Sequence, residues 1–125
     1  MEAHENFLLH PVSVDSLVMF VGVVAQAQLR DRVRMDVRVG RHLPIAGGPY
    51  VRTRLEDILN DSMSPYATHQ SYEDLHPFMD GNGRSGRVLW LHMMGGIDSV
   101  PLGFLHTWYY MSLELDKFIV NINER

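Results

Sequence analysis

The sequence predicts a mainly α protein, a compact helical bundle interrupted by one short β-hairpin. Three observations carry that prediction. Apolar residues recur at helical spacing through five separate stretches. A single stretch, 33–40, switches to period-two alternation. The breaks between stretches fall on proline, glycine and serine, the residues that punctuate secondary structure. One short strand pair cannot form a sheet core, so the hairpin is expected to lie as a flap on the helical body.

The first helix is expected over 13–30. Ser13 suits its N-cap and Asp15 its first turn, while Leu17, Phe20, Val21, Val24 and Leu29 recur along one face. In 33–40, Val33, Met35, Val37 and Val39 alternate with Arg34, Asp36 and Arg38, the pattern of a half-buried or edge strand. Gly40, Pro44, Gly47, Gly48 and Pro49 make 40–49 a loop or an irregular hairpin. A second helix follows over about 49–60, with Val51, Leu55, Ile58 and Leu59 inward. The third spans about 65–75, with Pro65 in its first turn and Tyr72 and Leu75 inward. A fourth, about 84–94, is apolar nearly all round through Val88, Leu89, Trp90, Leu91, Met93 and Met94, which marks a central, buried helix. After Gly95-Gly96 and a turn at 98–101, a fifth carries Leu102, Phe104, Leu105, Trp108, Tyr109 and Leu113. The tail, 117–125, reads equally as a helical extension or a frayed end.

At 125 residues the chain is read as one domain, 1–125, with no internal repeat or linker. Its formal net charge of −4 argues against a nucleic-acid binder, which shows a basic excess. Without cysteine there is no disulfide framework and no thiolate metal site. Glu2 and Glu5 stand where a signal peptide would carry basic residues, and the longest nearly apolar run, 17–27, is too short for a membrane span. A cytoplasmic protein with neither membrane nor nucleic-acid partners is the expectation.

The chemistry concentrates in 76–87, His76-Pro77-Phe78-Met79-Asp80-Gly81-Asn82-Gly83-Arg84-Ser85-Gly86-Arg87. Pro77 biases His76 away from the helical region, so the third helix should end there. Gly81-Asn82-Gly83 can turn with positive φ and expose backbone N–H groups, a nest that suits anions. A helix starting near Arg84 adds unpaired N–H donors and the positive end of its dipole. Arg84 and Arg87, three residues apart, share one face. The residues describe a phosphate cradle with a base at its lip and a carboxylate, Asp80, that could ligate a metal.

This run resembles the signature of the Fic family, H-P-F-x-[D/E]-G-N-G-R-x-x-R, and meets every fixed position. The resemblance implies an all-helical Fic-type bundle that transfers AMP from ATP to a Ser, Thr or Tyr hydroxyl of a target protein, releasing pyrophosphate. His76 would be the general base and Asp80 the ligand of Mg²⁺. Gly81, Asn82 and Gly83 would hold the α-phosphate, with Arg84 and Arg87 on the β- and γ-phosphates. Residues 30–40 look like the family's flap, on which a target segment would dock near 35–45, beside Arg38, Arg41, His42 and Leu43. His69, Tyr72, Leu75 and His76 resemble the helix that leads into the signature. The family core would cover roughly 13–113. Phe78 is read as a core plug. Met79, Ser85 and Gly86 receive no role, and His4, His10, His69, His92 and His106 are read as surface or core histidines.

Many family members also carry an inhibitory helix with the pattern [S/T]-x-x-x-E-[G/N]. Here Met1-Glu2-Ala3-His4-Glu5-Asn6 comes near but has methionine at the first position and sits close against the core. Ser112-Leu113-Glu114-Leu115-Asp116-Lys117 has aspartate where glutamate belongs. No intact built-in brake is therefore expected, and a separate antitoxin or inhibitor would fill that role if restraint is needed. Two other functions stay open: a transferase using another phosphate-bearing donor, and a catalytically idle nucleotide-binding module.

Overall fold

The described residues form five successive helices, α1 (Glu2–Leu8), α2 (Val14–Val24), α3 (Pro49–Asn60), α4 (Pro65–Leu75) and α5 (Asn82–Met93), of which the last four answer to the first four expected from the sequence. The computed structural model describes residues 2–95. The expected fifth helix and tail, 102–125, lie outside the described residues, as does His106. Among the described residues, no helix is long and apolar enough to cross a membrane.

α2 begins where its N-cap requires. The Ser16 N–H donates to Ser13 Oγ at 3.0 Å and the Ser13 N–H donates to Ser16 Oγ at 2.9 Å, so two otherwise orphaned donors are satisfied reciprocally. Val14, Leu17, Phe20 and Val21 form its buried stripe. α3 buries Val51, Leu55 and Ile58, and α4 buries Thr68, Tyr72 and Leu75. α5 packs on α4, α1 and α2, which makes it the central helix. Its buried residues are Asn82, Ser85, Gly86, Val88, Leu89 and Leu91, while Met94 just beyond its end is exposed. α5 is thus apolar on its inner face rather than all round.

α1 was not expected as an element. Its seven residues place His4, Phe7 and Leu8 on one buried face, with Glu2 and Glu5 near the favourable positive end. It packs against α2 and α5, so residues near the N-terminus are core. The His4 ring meets Phe20 edge-on, with centroids 4.9 Å apart.

Two expectations need correction. α2 stops at Val24, six residues before residue 30, because Gln26 takes a positive φ of 52° and the chain leaves the helix axis. Leu29 is still buried, but through an isolated antiparallel bridge to Phe78 rather than on a helical face. The β-hairpin flap is also absent among the described residues: 33–40 is not a strand. One bridge, Val39 to His42, remains, with N–H···O distances of 3.0 and 2.9 Å in the two directions. The physical reason is that this segment's polar groups are spent elsewhere. Arg34 has a φ of 76°, Met35 and Ile45 carbonyls accept from Arg30, and the Gly47 N–H donates to Asp36 Oδ1 at 2.8 Å. Alternation survives in burial from Arg34 on, with Met35, Val37 and Val39 half-buried and Arg34, Asp36 and Arg38 exposed, but Val33 is exposed as well.

Burial of His4 has a measurable consequence. Loss of solvation, reinforced by positive charge including Arg84 and Arg87, lowers its pKa from 6.5 to about 4. The folded imidazole therefore resists a proton that the unfolded chain accepts. That stability is present above about pH 6.5 and is lost as pH falls toward 4. Urea midpoints should drop across this window, and His4→Phe should flatten the decline; an unchanged slope would show that His4 does not carry it.

Candidate active site

The loop 76–81 joins α4 to α5 and has little regular structure, so its backbone must be satisfied from outside. The chain leaving α2 does this. The Arg30 N–H donates to the Pro77 carbonyl at 2.8 Å, and the Met79 N–H donates to the Gln28 carbonyl at 2.9 Å. Asn82 closes the loop on itself: its Oδ1 accepts from the Phe78 N–H at 2.8 Å and its Nδ2 donates to the Phe78 carbonyl at 2.7 Å. Phe78 is fully buried, as a core plug should be.

His76 is the C-cap of α4. It sits in the left-handed region with φ 50° and ψ 63°, and its N–H donates to the Tyr72 carbonyl at 3.0 Å. Glycine is the usual occupant of this conformation, so a histidine there is held by its surroundings. Pro77 excludes continuation of the helix, and Arg30 Nε donates to the His76 carbonyl at 2.7 Å. Burial first, then the positive charges of Arg30 and His42, lower the His76 pKa from 6.5 to about 4; Asp80 and a hydrogen bond with the Glu73 backbone pull it partly back. The ring is consequently neutral near pH 7, the form that accepts a proton.

Gly81 precedes α5 with φ 78°. The helix starts at Asn82, two residues earlier than expected, so Gly83 lies inside the first turn. Asn82 and Gly83 thus present first-turn N–H groups beyond reach of the helix's own carbonyls, at its positive end. Together with the left-handed Gly81 this is an anion nest. Asp80 lies exposed at its edge, and one carboxylate oxygen accepts from the Gly81 N–H at 2.7 Å. Among the described residues, no group of three His, Asp or Glu side chains could hold a metal ion. Asp80 is a single hard ligand, which suits Mg²⁺ where substrate phosphates complete the shell.

Arg84 and Arg87 lie half-buried on α5. Arg84 Nη1 donates to the Val24 carbonyl at 2.7 Å, at the negative C-terminal end of α2. Arg87 bears electrostatically on His4 and His69. Beside the loop, His42 Nε2 lies 3.1 Å from the Asp74 carbonyl, while Arg38 Nε donates to the Gly40 carbonyl at 3.1 Å. Arg41, His42 and Leu43 are exposed. Of the remaining histidines, His69 pairs with Glu73 at 3.3 Å and His92 Nε2 lies 2.8 Å from the His10 carbonyl. A groove lined by Phe7, Met19, Phe20 and Val23 is separate and includes no residue of 76–87.

Sequence reasoning missed three supports. Arg30 is fully buried and reaches four carbonyls, those of Met35, Ile45, Leu75 and His76. Nothing in its neighbourhood in the sequence distinguishes it from Arg32 or Arg34. Ser85, at a variable signature position, is buried against the Tyr72 hydroxyl at 2.6 Å and donates to the Asn82 carbonyl at 3.2 Å. Tyr72, Ser85 and Asn82 thereby tie α4 to the start of α5. Gly86, also without an assigned role, packs so closely on Glu73 and the Tyr72 ring that a Cβ there would displace the Glu73 carboxylate and lie 3.3 Å from the ring. The spacing of Tyr72 against Ser85 is the only available signal, and it becomes legible once α4 and α5 are known to be packed neighbours across a tight loop.

Gly81 is constrained twice, because a Cβ there would sit 2.8 Å from the Ala25 Cβ as well as in a left-handed backbone. Gly81→Ala should destabilise the fold by about 2–4 kcal/mol, combining the conformational and overpacking penalties. Chemical denaturation measures it, and a loss below about 1 kcal/mol would mean that the loop relaxes freely.

Comparison with curated proteins and with solved structures returns no match. Residues 50–94, which run from α3 through α5 and include the whole of 76–87, match the model of the Fic/DOC family, a match that supports a Fic domain over this stretch.

Proposed function

We propose that the chain is a protein adenylyltransferase that moves AMP from ATP to a Ser, Thr or Tyr hydroxyl of a target protein. The observation that carries this reading is a neutral histidine fixed at the end of α4, a few residues before an anion nest at the start of α5. In the reaction, the target oxygen bonds to the α-phosphorus and its proton passes to the His76 imidazole. The bond from the α-phosphorus to the bridging oxygen breaks, and pyrophosphate leaves. The backbone N–H groups of Asn82 and Gly83 hold the α-phosphate and the charge it develops, joined by that of Gly81 once Asp80 releases it. Asn82 serves through its backbone, since its amide is engaged by Phe78. Arg84 and Arg87 orient the β- and γ-phosphates, a task suited to planar, permanently charged guanidinium groups. Asp80 would hold Mg²⁺, which when bound neutralises phosphate charge. The target docks along 35–45, where Leu43 and Ile45 stand exposed.

Incubation with ATP labelled at the α-phosphate and a cell lysate tests the reading. His76→Asn is a better variant than alanine, because asparagine tolerates the left-handed cap while removing the base. Labelling should fall by about 10²–10⁴-fold. Retained labelling would sink the role of His76. Transfer from another nucleotide but not ATP would favour a different donor, and nucleotide binding without transfer would favour an idle module. Phosphate charge should raise the His76 pKa from its ligand-free value of about 4, so the acid limb of kcat should lie above that value.

We further propose that Glu5 is not a brake and that any restraint comes from a separate antitoxin or inhibitor. Deleting 1–6 would remove buried His4 and confuse inhibition with core damage. Glu5→Gln avoids that. Autolabelling should be unchanged in this variant; a strong rise would establish a built-in brake at Glu5.

A further inference from the structure

Arg30 is the one charged side chain among the described residues that is completely withdrawn from solvent. Burying a guanidinium is unfavourable unless its donors are filled, and here they are filled by backbone from two separate parts of the chain. Nε donates to the His76 carbonyl at 2.7 Å and Nη2 to the Leu75 carbonyl at 2.8 Å. Nη1 donates to the carbonyls of Ile45 at 2.8 Å and Met35 at 3.2 Å. Its own backbone extends the same link: the Arg30 N–H donates to Pro77 and the Arg30 carbonyl accepts from the Gly48 N–H at 3.0 Å.

We propose that Arg30 is a positioning residue that couples the 31–48 segment to the backbone of His76, so that engagement of one sets the orientation of the other. The guanidinium is a rigid planar fork, and its two edges face the two segments. A displacement of Met35 or Ile45 must therefore rotate the group away from Leu75 and His76 or break a bond to a buried carbonyl. The left-handed conformation of His76 makes this coupling matter. The imidazole direction follows from a backbone that is not at its own minimum and depends on what holds its carbonyl. Lysine cannot substitute, because its three donors radiate from one atom and cannot span both segments.

The catalytic arm of the test rests on the adenylyl-transfer reading; the structural arm does not. In Arg30→Lys, kcat per nucleotide-binding site should fall by about 100-fold, the scale expected when a catalytic group is misplaced by about 1 Å. KM for ATP should stay nearly constant, because the nest at the start of α5 is untouched. Amide exchange should accelerate together in 31–48 and 76–79, while α3 and the later turns of α5 keep their protection. Acceleration in only one segment, or uniformly through the protein, would overturn the coupling. So would a kcat that is preserved in an enzyme whose wild type is active.

A second variant covers the case in which Arg30→Lys does not fold. Asp36 is exposed, and its carboxylate holds the Gly47 N–H, so Asp36→Ala loosens 31–48 without opening the core. Exchange at 76–79 should rise in this variant too. A rise confined to 31–48 would defeat the proposal. If wild type transfers nothing from any nucleotide, adenylyl transfer fails while both exchange outcomes still decide the coupling.

Discussion

A loop that must hold an imidazole at a helix end, and place an anion nest a few residues later, supplies almost no hydrogen-bond ladder of its own. Four of its six residues are buried or half-buried, and each of their backbone groups left without a partner would cost free energy comparable to a lost hydrogen bond. The solution here is borrowed backbone. Gln28 and the Arg30 main chain pair with Met79 and Pro77, the Arg30 side chain takes Leu75 and His76, and Asn82 takes both polar groups of Phe78. α2 has to end at Val24 for 28–30 to be available as this extended partner. The early stop of α2, the burial of Leu29 and the irregularity of 31–48 are consequences of that one requirement.

The same requirement explains why signature residues divide between substrate and scaffold. Gly81 makes room for Ala25 while adopting a left-handed turn, Gly86 makes room for Glu73 and Tyr72, and Phe78 plugs the core. Ser85 gives the buried Tyr72 hydroxyl a partner. These positions set the approach of α4 to α5, which fixes the distance between the histidine cap and the nest. A motif that looks like a catalogue of phosphate ligands is in large part a recipe for holding two helices and a loop.

How much of this could be read from the sequence depended on whether the determining force was local. The bounds of α3 and α4 were legible to the residue because Pro49, Pro65 and the His76-Pro77 pair are local stops and starts. Ser13 was legible as a cap for the same reason. The hairpin was misread because alternation reports which side chains face inward, which holds from Met35 to Val39 but not at exposed Val33, whereas strand formation needs backbone partners. Arg30, Asp36 and Gly47 redirect those partners, and their geometry is tertiary. α1 was missed because seven residues offer one buried stripe and no proline or glycine boundary at their start. In the site, the histidine, the nest and the arginines are neighbours in sequence and could be singled out there, but Arg30, from 46 residues before His76, could only be found in three dimensions.

Charge completes the constraint. The chain as a whole is acidic, at a formal −4, yet Arg84 and Arg87 bear on His4 while Arg30 and His42 bear on His76. Both imidazoles are pushed to about 4, by burial first and then by positive charge: the N-terminal amine and the two arginines of α5 at His4, Arg30 and His42 at His76. A neutral histidine avoids adding a further positive charge to a poorly solvated site that already holds guanidinium groups. Such a site lowers basicity where a base is wanted, an apparent contradiction for catalysis. It resolves if the working state contains a polyanion: phosphate charge offsets the arginines, raises the imidazole toward neutrality, and makes His76 a competent proton acceptor when the donor is in place. Under the proposed function the low pKa of the ligand-free protein would be the other face of nucleotide recognition, with base strength coupled to occupancy.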